Sequence, residues 1–107
     1  RKDIEVRKII YGKSYDTDTA TKVGMWESSI DSNDLSYVSE TLYRKKTGEY
    51  FLHCHGGPMS RYAVYQTYNT IISGDVIKPI TPEEAREFAE KYLSADTYEA
   101  EFGIVDE

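Results

Sequence analysis

The chain has 107 residues and a net charge of −6, with 39% hydrophobic residues and ten tyrosines. This length predicts one domain spanning residues 1–107, and the aromatic content excludes a disordered chain. The acidic balance argues against direct nucleic-acid binding, and no apolar run approaches the roughly 20 residues that span a bilayer. Because Cys54 is the only cysteine, an internal disulfide is impossible, which is typical of the cytoplasm, where we expect this protein.

The first third of the chain predicts strands joined by tight turns. Residues 4–11 are rich in β-branched side chains and predict a strand. Gly12 follows, and glycine supplies the positive φ that a hairpin turn needs. Residues 22–30 predict another strand, and residues 31–34 predict a loop by composition.

The clearest local signal is a hairpin within residues 35–55. Strand-forming residues occupy 35–44 and 50–55, and residues 46–49 connect them, with Gly48 at a left-handed position. Both faces of the first arm carry bulky side chains. We therefore expect this hairpin at the centre of its sheet, covered at least partly on both sides.

The segment after this hairpin predicts turns and short strands. Residues 56–60 break the strand pattern, and residues 61–68 predict a strand or a short helical turn. Residues 70–77 predict a second hairpin that turns at Gly74 and Asp75, and residues 78–80 lead out of it.

The end of the chain predicts two helices. Thr81, Pro82 and Glu84 form the N-cap, first turn and capping box of the first helix. Its apolar residues recur as one stripe, which consists of Ala85, Phe88, Ala89, Tyr92 and Leu93. Ser94 caps a short second helix, which Gly103 ends, and we expect Ile104 to pack back on it.

The order of the elements, strands first and helices last, predicts an α+β fold. We expect a twisted antiparallel sheet of about four to six strands with a C-terminal amphipathic helix and a short following helix.

Most of the negative charge lies at the end of the chain. Residues 83–107 contain nine acidic and two basic residues, whereas residues 1–80 are nearly neutral. Intrahelical pairs between Arg86 and Glu90 and between Glu87 and Lys91 explain part of this charge as a solvated helix face. They do not explain all of the charge, because Asp96, Glu99, Glu101, Asp106 and Glu107 have no local base. The alternative interpretation is a partner-binding surface, which consists of Glu83, Glu87, Glu90, Asp96, Glu99 and Glu101.

Two other short patterns have both a functional and an ordinary interpretation. In His53-Cys54-His55 the imidazoles share one strand face and Cys54 points to the other. Such a pair ligates zinc only with further ligands, which the spacing does not identify, so we expect no metal; the ordinary interpretation is two half-exposed imidazoles beside a buried thiol. Residues 56–61 resemble an anion-binding loop, but a turn is the more common use of two glycines and a proline.

Four segments resemble, in the same order, a group of small proteins encoded on phages and conjugative elements of Gram-positive bacteria. These are residues 11–20 (YGKSYDTDTA), 40–52 (ETLYRKKTGEYFL), 56–63 (GGPMSRYA) and 80–93 (ITPEEAREFAEKYL). Some members of the group are similar to anti-CRISPR proteins, which block an RNA-guided nuclease. The chain departs from the group in residues 64–73, where more Gly, Ser and Trp are typical.

Together, the charge and the resemblance predict a non-enzymatic, acidic interaction protein from a mobile element. We expect an anti-CRISPR-type inhibitor that occupies the basic nucleic-acid channel of a host protein, such as an RNA-guided nuclease. We expect no cofactor and no membrane partner. Two alternatives stay open, a small metal-dependent hydrolase that uses His53 and His55 and a nucleic-acid-binding module that uses Arg44, Lys45 and Lys46.

Overall fold

The computed structural model describes residues 6–28, 31, 33–67 and 70–107, and of Gln66 only the backbone. The predicted strand residues 4, 5, 29, 30 and 68 and the loop residue 32 lie outside these ranges. The strands are β1 (Arg7–Ile10), β2 (Lys13–Asp16), β3 (Thr21–Glu27), β4 (Val38–Arg44), β5 (Tyr50–Gly56), β6 (Val64–Thr67), β7 (Thr70–Ile72) and β8 (Gly74–Ile80). The helices are α1 (Pro82–Tyr92) and α2 (Ala95–Phe102).

The centre of the fold is a four-stranded antiparallel sheet in the order β3-β4-β5-β8. The strands β1 and β2 form a separate two-stranded sheet, as do β6 and β7. The predicted α+β fold is therefore confirmed. The β4–β5 hairpin lies in the middle, and β4 is buried from Val38 to Tyr43, because both faces of the sheet are covered.

The prediction of a hairpin within residues 70–77 is wrong. Strand β7 pairs with β6, whereas β8 pairs with β5, from Tyr50 opposite Ile80 to Gly56 opposite Gly74. Strand β8 also continues through Pro79, which was predicted to lead out of that hairpin. An edge strand accepts proline because one side of its backbone has no ladder partner.

Each face of the central sheet carries its own apolar core. On one face Leu42, Leu52 and Cys54 pack against α1, whose predicted stripe contributes Ala85 and Phe88. On the other face the buried residues come from β2, β4, β5 and β8, and these are Tyr15, Tyr43, Phe51 and Ile77. The β1–β2 hairpin therefore covers the sheet face that the helices leave open.

The predicted turns at Gly12 and Gly48 and the predicted helix ends are confirmed, except for the position of Ile104. Tyr11 and Gly12 have φ values of 50° and 76°, and Gly48 has a φ of 92°. The capping box of Thr81 and Glu84 is complete. Ile104, however, is 91% exposed and does not pack back. Gly103 has φ 98° and ψ 165°, so the chain leaves α2 in an extended direction rather than in the left-handed turn that would bring Ile104 to the helix.

Candidate functional site

The exposed carboxylates of α1 follow one side of the helix. Glu83, Glu87 and Glu90 are exposed, whereas Ala85 and the other residues of the opposite stripe face the sheet. Their spacing of four and three residues places them on successive turns of the same side. On α2, Asp96 and Glu99 are also one turn apart, with Asp96 exposed and Glu99 partly exposed.

A shallow groove joins the acidic rows of the two helices. Glu90 of α1 and Glu99 of α2 line the same groove, of about 410 Å³, and Tyr98 also lines it. We call Glu83, Glu87, Glu90, Asp96 and Glu99 the acidic face. It is one surface with an aromatic ring in it.

The two bases of this region form no ion pair with the acidic face among the described residues. The Arg86 guanidinium lies over the Phe102 ring, 5.6 Å from its centroid, and the Lys91 ammonium lies 5.1 Å from the Tyr92 ring. The predicted pairs Arg86–Glu90 and Glu87–Lys91 are not among the ion pairs of the described residues, and no such pair involves the acidic face. Cation–π contacts with rings of the helices hold these cations instead.

Glu101 does not belong to the acidic face, because a base from a strand distant in the sequence neutralises it. Its carboxylate accepts hydrogen bonds from the Arg44 guanidinium and, at 2.6 Å, from the Tyr50 hydroxyl. Its side chain is 8% exposed. The basic partner, Arg44, comes from β4, 57 residues earlier in the chain. No pattern in the sequence around Glu101 therefore predicts this pair. This contact anchors the end of α2 on the sheet.

The Tyr50–Glu101 hydrogen bond predicts a loss of stability in alkali. Burial, followed by the Glu101 carboxylate, raises the pKa of Tyr50 to about 12 from the usual 10.0. A raised tyrosine pKa means that the folded chain keeps a proton which the unfolded chain releases. This contribution to stability is therefore complete below pH 10 and is lost as the pH rises to 12.

We expect Tyr50→Phe to remove this alkaline loss. Near pH 8 the variant should be less stable than the wild type by about 1–2 kcal/mol, because Glu101 loses a donor. The difference should close by pH 12, as measured by urea unfolding at each pH. Tyr11→Phe, at a fully exposed ring, is the control and should follow the wild type throughout. A constant difference between Tyr50→Phe and the wild type would contradict the assignment.

The basic run of residues 44–46 is largely engaged within the chain. Arg44 pairs with Glu101, and the Lys45 ammonium lies 3.1 Å from a Glu49 carboxylate oxygen and 4.2 Å from the Tyr15 ring centroid. Lys46 is exposed. These contacts leave little free positive charge for a phosphate backbone at this turn.

The histidines meet an acid that the sequence did not identify. Cys54 is buried on the helix side of the sheet, and the imidazoles point to the opposite face, as predicted. There the Asp75 Oδ1 lies 2.8 Å from His53 Nε2 and 3.1 Å from His55 Nδ1. A ring nitrogen that carries its proton donates to this oxygen. Both imidazoles are more buried than the half-exposed pair that the sequence predicted.

The contact of Asp75 with the two imidazoles is relevant to the hypothesis that His53 and His55 bind a metal ion. Asp75 comes from β8, directly opposite His55, and the sequence placed it in a different hairpin. Its Oδ1 lies within hydrogen-bond distance of one nitrogen of each ring. Within residues 6–28, 31, 33–67 and 70–107, no three His, Cys, Asp or Glu side chains are placed to hold a metal ion.

The glycine-rich segment after β5 forms a turn that a buried carboxylate holds in place. Glu40 is buried, and its Oε2 accepts hydrogen bonds of 2.6 Å from both Arg61 Nη2 and the Tyr62 hydroxyl. The Gly57 and Met59 amides donate to backbone carbonyls of residues 37 and 35. These amides are therefore used within the fold, which favours the turn over the anion-loop interpretation. Sequence reasoning missed Glu40 because an acid on a central strand gives no local signal of its partner.

Comparisons with known proteins do not assign this chain to a family. No protein-family model matches the chain, and neither a curated protein nor a solved structure is significantly similar to it. Among the described residues, no helix is long and apolar enough to cross a membrane. Fold geometry and surface chemistry are thus the basis for any functional conclusion.

Proposed function

We propose that this protein is a non-enzymatic inhibitor, of the kind that phages and other mobile elements carry, and that its acidic face occupies the basic nucleic-acid channel of a host protein. The observation that supports this proposal is the acidic face itself. Five carboxylates share one surface without an ion pair among the described residues, while Arg86 and Lys91 contact rings. We propose an RNA-guided nuclease as the partner.

The chemistry of such a channel complements this surface. An RNA-guided nuclease holds its nucleic acid in a positively charged channel through backbone contacts. A protein with a net charge of −6 is steered toward that channel and gains association rate. In the groove between the helices, an arginine of the channel would lie on the Tyr98 ring and reach the carboxylates of Glu90 and Glu99.

The contacts described above favour this function over the two alternatives. A nucleic-acid-binding module needs free cations, and Arg44 and Lys45 are engaged by carboxylates. A metal-dependent hydrolase needs at least three ligands at one point, and among the described residues no three His, Cys, Asp or Glu side chains are placed to hold a metal ion.

Reversing three charges of the acidic face tests the proposal. Glu87→Lys, Glu90→Lys and Glu99→Lys combined should weaken binding to a guide-loaded Cas9-type nuclease at least about tenfold, since each reversal turns attraction into repulsion. Binding is measured as displacement of a fluorescent target duplex from the nuclease, and the wild-type effect should fall as salt rises. Far-UV circular dichroism should not change, because none of the three side chains is buried.

A matched single reversal separates local from overall charge. Asp18→Lys changes the net charge as much as Glu90→Lys, at an exposed turn residue outside the acidic face. Only Glu90→Lys should weaken binding measurably. Equal effects of the two would mean that the acidic face has no special role, and absence of wild-type displacement would remove the RNA-guided nuclease as the partner.

A further inference from the structure

A second groove lies far from the acidic face, between residues 58–63 and the β6–β7 hairpin. It has a volume of about 420 Å³. Its wall is largely apolar, and Met59 and Tyr65 in it are each 71% exposed. Ile71 also lines it and is exposed. An apolar surface of this kind favours an aliphatic side chain as its occupant.

The same groove contains an exposed cation whose guanidinium also lies 5.0 Å from the Tyr62 ring centroid. Arg61 lines it, and its side chain is 58% exposed. One guanidinium nitrogen, Nη2, bonds Glu40, and a guanidinium has five N–H donors in all. The remaining donors therefore suit a carboxylate. The complete ligand for this groove combines an aliphatic side chain with a carboxylate beside it.

The segment that follows α2 has this combination. Ile104 is 91% exposed, and Asp106 is exposed two residues later. Both side chains therefore face solvent, two residues apart in the chain. Val105, between them, lines the groove beside Tyr98 and is less exposed, so it faces back toward α2. Ile104 and Asp106 thus face outward together.

We propose that the groove lined by Met59, Arg61, Tyr65 and Ile71 binds residues 104–106 of a second copy of this chain. Ile104 lies against Met59 and Tyr65, and the Asp106 carboxylate pairs with Arg61. Charge complementarity favours this occupant. Ile104 is the most exposed isoleucine among the described residues, and the acidic Asp106 lies two residues after it. The apolar groove, in turn, has the basic Arg61 in its lining.

The segment cannot reach the groove of its own copy. Glu101 is held by Arg44 and Tyr50 at the start of β5, whereas the groove begins beyond Gly56 at the end of that strand. Seven residues of strand separate these ends by roughly 20 Å. Three residues of extended chain after Glu101 span at most about 10 Å. The contact is therefore intermolecular and head-to-tail.

The charge distribution allows this approach. No Asp, Glu, Lys or Arg occurs between Arg61 and Asp75, so the hairpin that forms one wall of the groove carries no charge in its sequence. Two copies with a net charge of −6 repel each other least where one of them presents this uncharged hairpin.

Methyl resonances of the two methionines give a direct test. In protein labelled with ¹³C-methyl methionine, the Met59 signal should shift between 10 μM and 1 mM, roughly the range of weak association. The Met25 signal, from an exposed side chain on β3, should stay constant as an internal control. Ile104→Ser should weaken the association about tenfold or more, since it removes the buried side chain. An unchanged Met59 signal over this range would overturn the proposal.

Mixing two variants tests the head-to-tail geometry. Ile104→Ser disables the inserted side chain and Tyr65→Ser disables the groove, and each should sediment as a monomer. An equimolar mixture should form a dimer that grows no further, because one intact groove meets one intact segment. Ile9→Ser, at an exposed isoleucine of β1, should associate like the wild type. A mixture that stays monomeric, or single variants that associate like the wild type, would refute the contact.

Discussion

Replacing Phe51 with alanine should lower the free energy of unfolding by about 3–5 kcal/mol, the usual range for a buried phenylalanine. Phe51 is fully buried. Its ring stacks on Tyr43 with centroids 5.2 Å apart and meets the edge of Tyr15 at 5.6 Å. Alanine would leave a cavity whose walls are rings held by two different sheets, and such walls do not collapse into it. Aromatic pair contacts add to the loss.

Urea unfolding followed by circular dichroism measures this effect. Phe51→Leu should cost less than Phe51→Ala, because it keeps more of the buried volume. Tyr65→Ala is the matched control, since it removes an aromatic ring from an exposed position and should change stability by less than about 0.5 kcal/mol. A loss below about 1 kcal/mol for Phe51→Ala would mean that the β1–β2 hairpin does not seal this core.

Replacing Gly74 with valine should destabilise the fold by about 3 kcal/mol or more, at the upper end of overpacking effects. A Cβ atom at Gly74 would lie 1.9 Å from the backbone oxygen of Tyr62 and 2.7 Å from a Val64 methyl. Gly56, directly opposite on β5, is equally crowded, because its Cβ would lie 2.0 Å from Ser60 Oγ. The chain at residues 60–64 crosses the sheet over this glycine pair.

The effect of Gly74→Val is specific to this crossing. Backbone, rather than a flexible side-chain end, meets the new Cβ at Tyr62, so relief requires residues 60–64 to move away from the sheet and strains the Glu40 contacts of Arg61 and Tyr62. Ser73→Val, at the preceding exposed position, is the control and should be nearly neutral. Thermal unfolding at pH 7 compares the two. Equal melting temperatures would contradict the crossing.

The local elements were predictable because their signals are local. Thr81 and Glu84 lie three residues apart, and the side chain of each accepts a hydrogen bond from the backbone N–H of the other. The start of α1 is therefore specified by residues that are close in the sequence. Gly12 and Gly48 likewise allow a turn at their own positions, because glycine adopts a positive φ without steric cost. The exposed acids of α1 follow from helical periodicity alone, which is why Glu83, Glu87 and Glu90 lie where the sequence placed them.

The partners of distant residues were not predictable in this way. Neither Asp96 nor Glu101 has a basic residue near it in the sequence of α2. Even so, the Glu101 side chain is buried against Arg44, whereas Asp96 is exposed. Nothing in the spacing of His53 and His55 identifies Asp75, because that contact requires β8 to pair with β5. Short strand-forming runs specify a strand without specifying its neighbour.

The sequence by itself determined the element types, the turns, the helix caps and the outward side of α1, because each depends on residues within about one helical turn or one hairpin of each other. Only the tertiary structure decided the order of the strands, the burial of Glu40 and Glu101, and the joining of two helical rows into one acidic face. Those features depend on which surfaces pack together, and the free energy of packing is a property of the whole chain rather than of any segment.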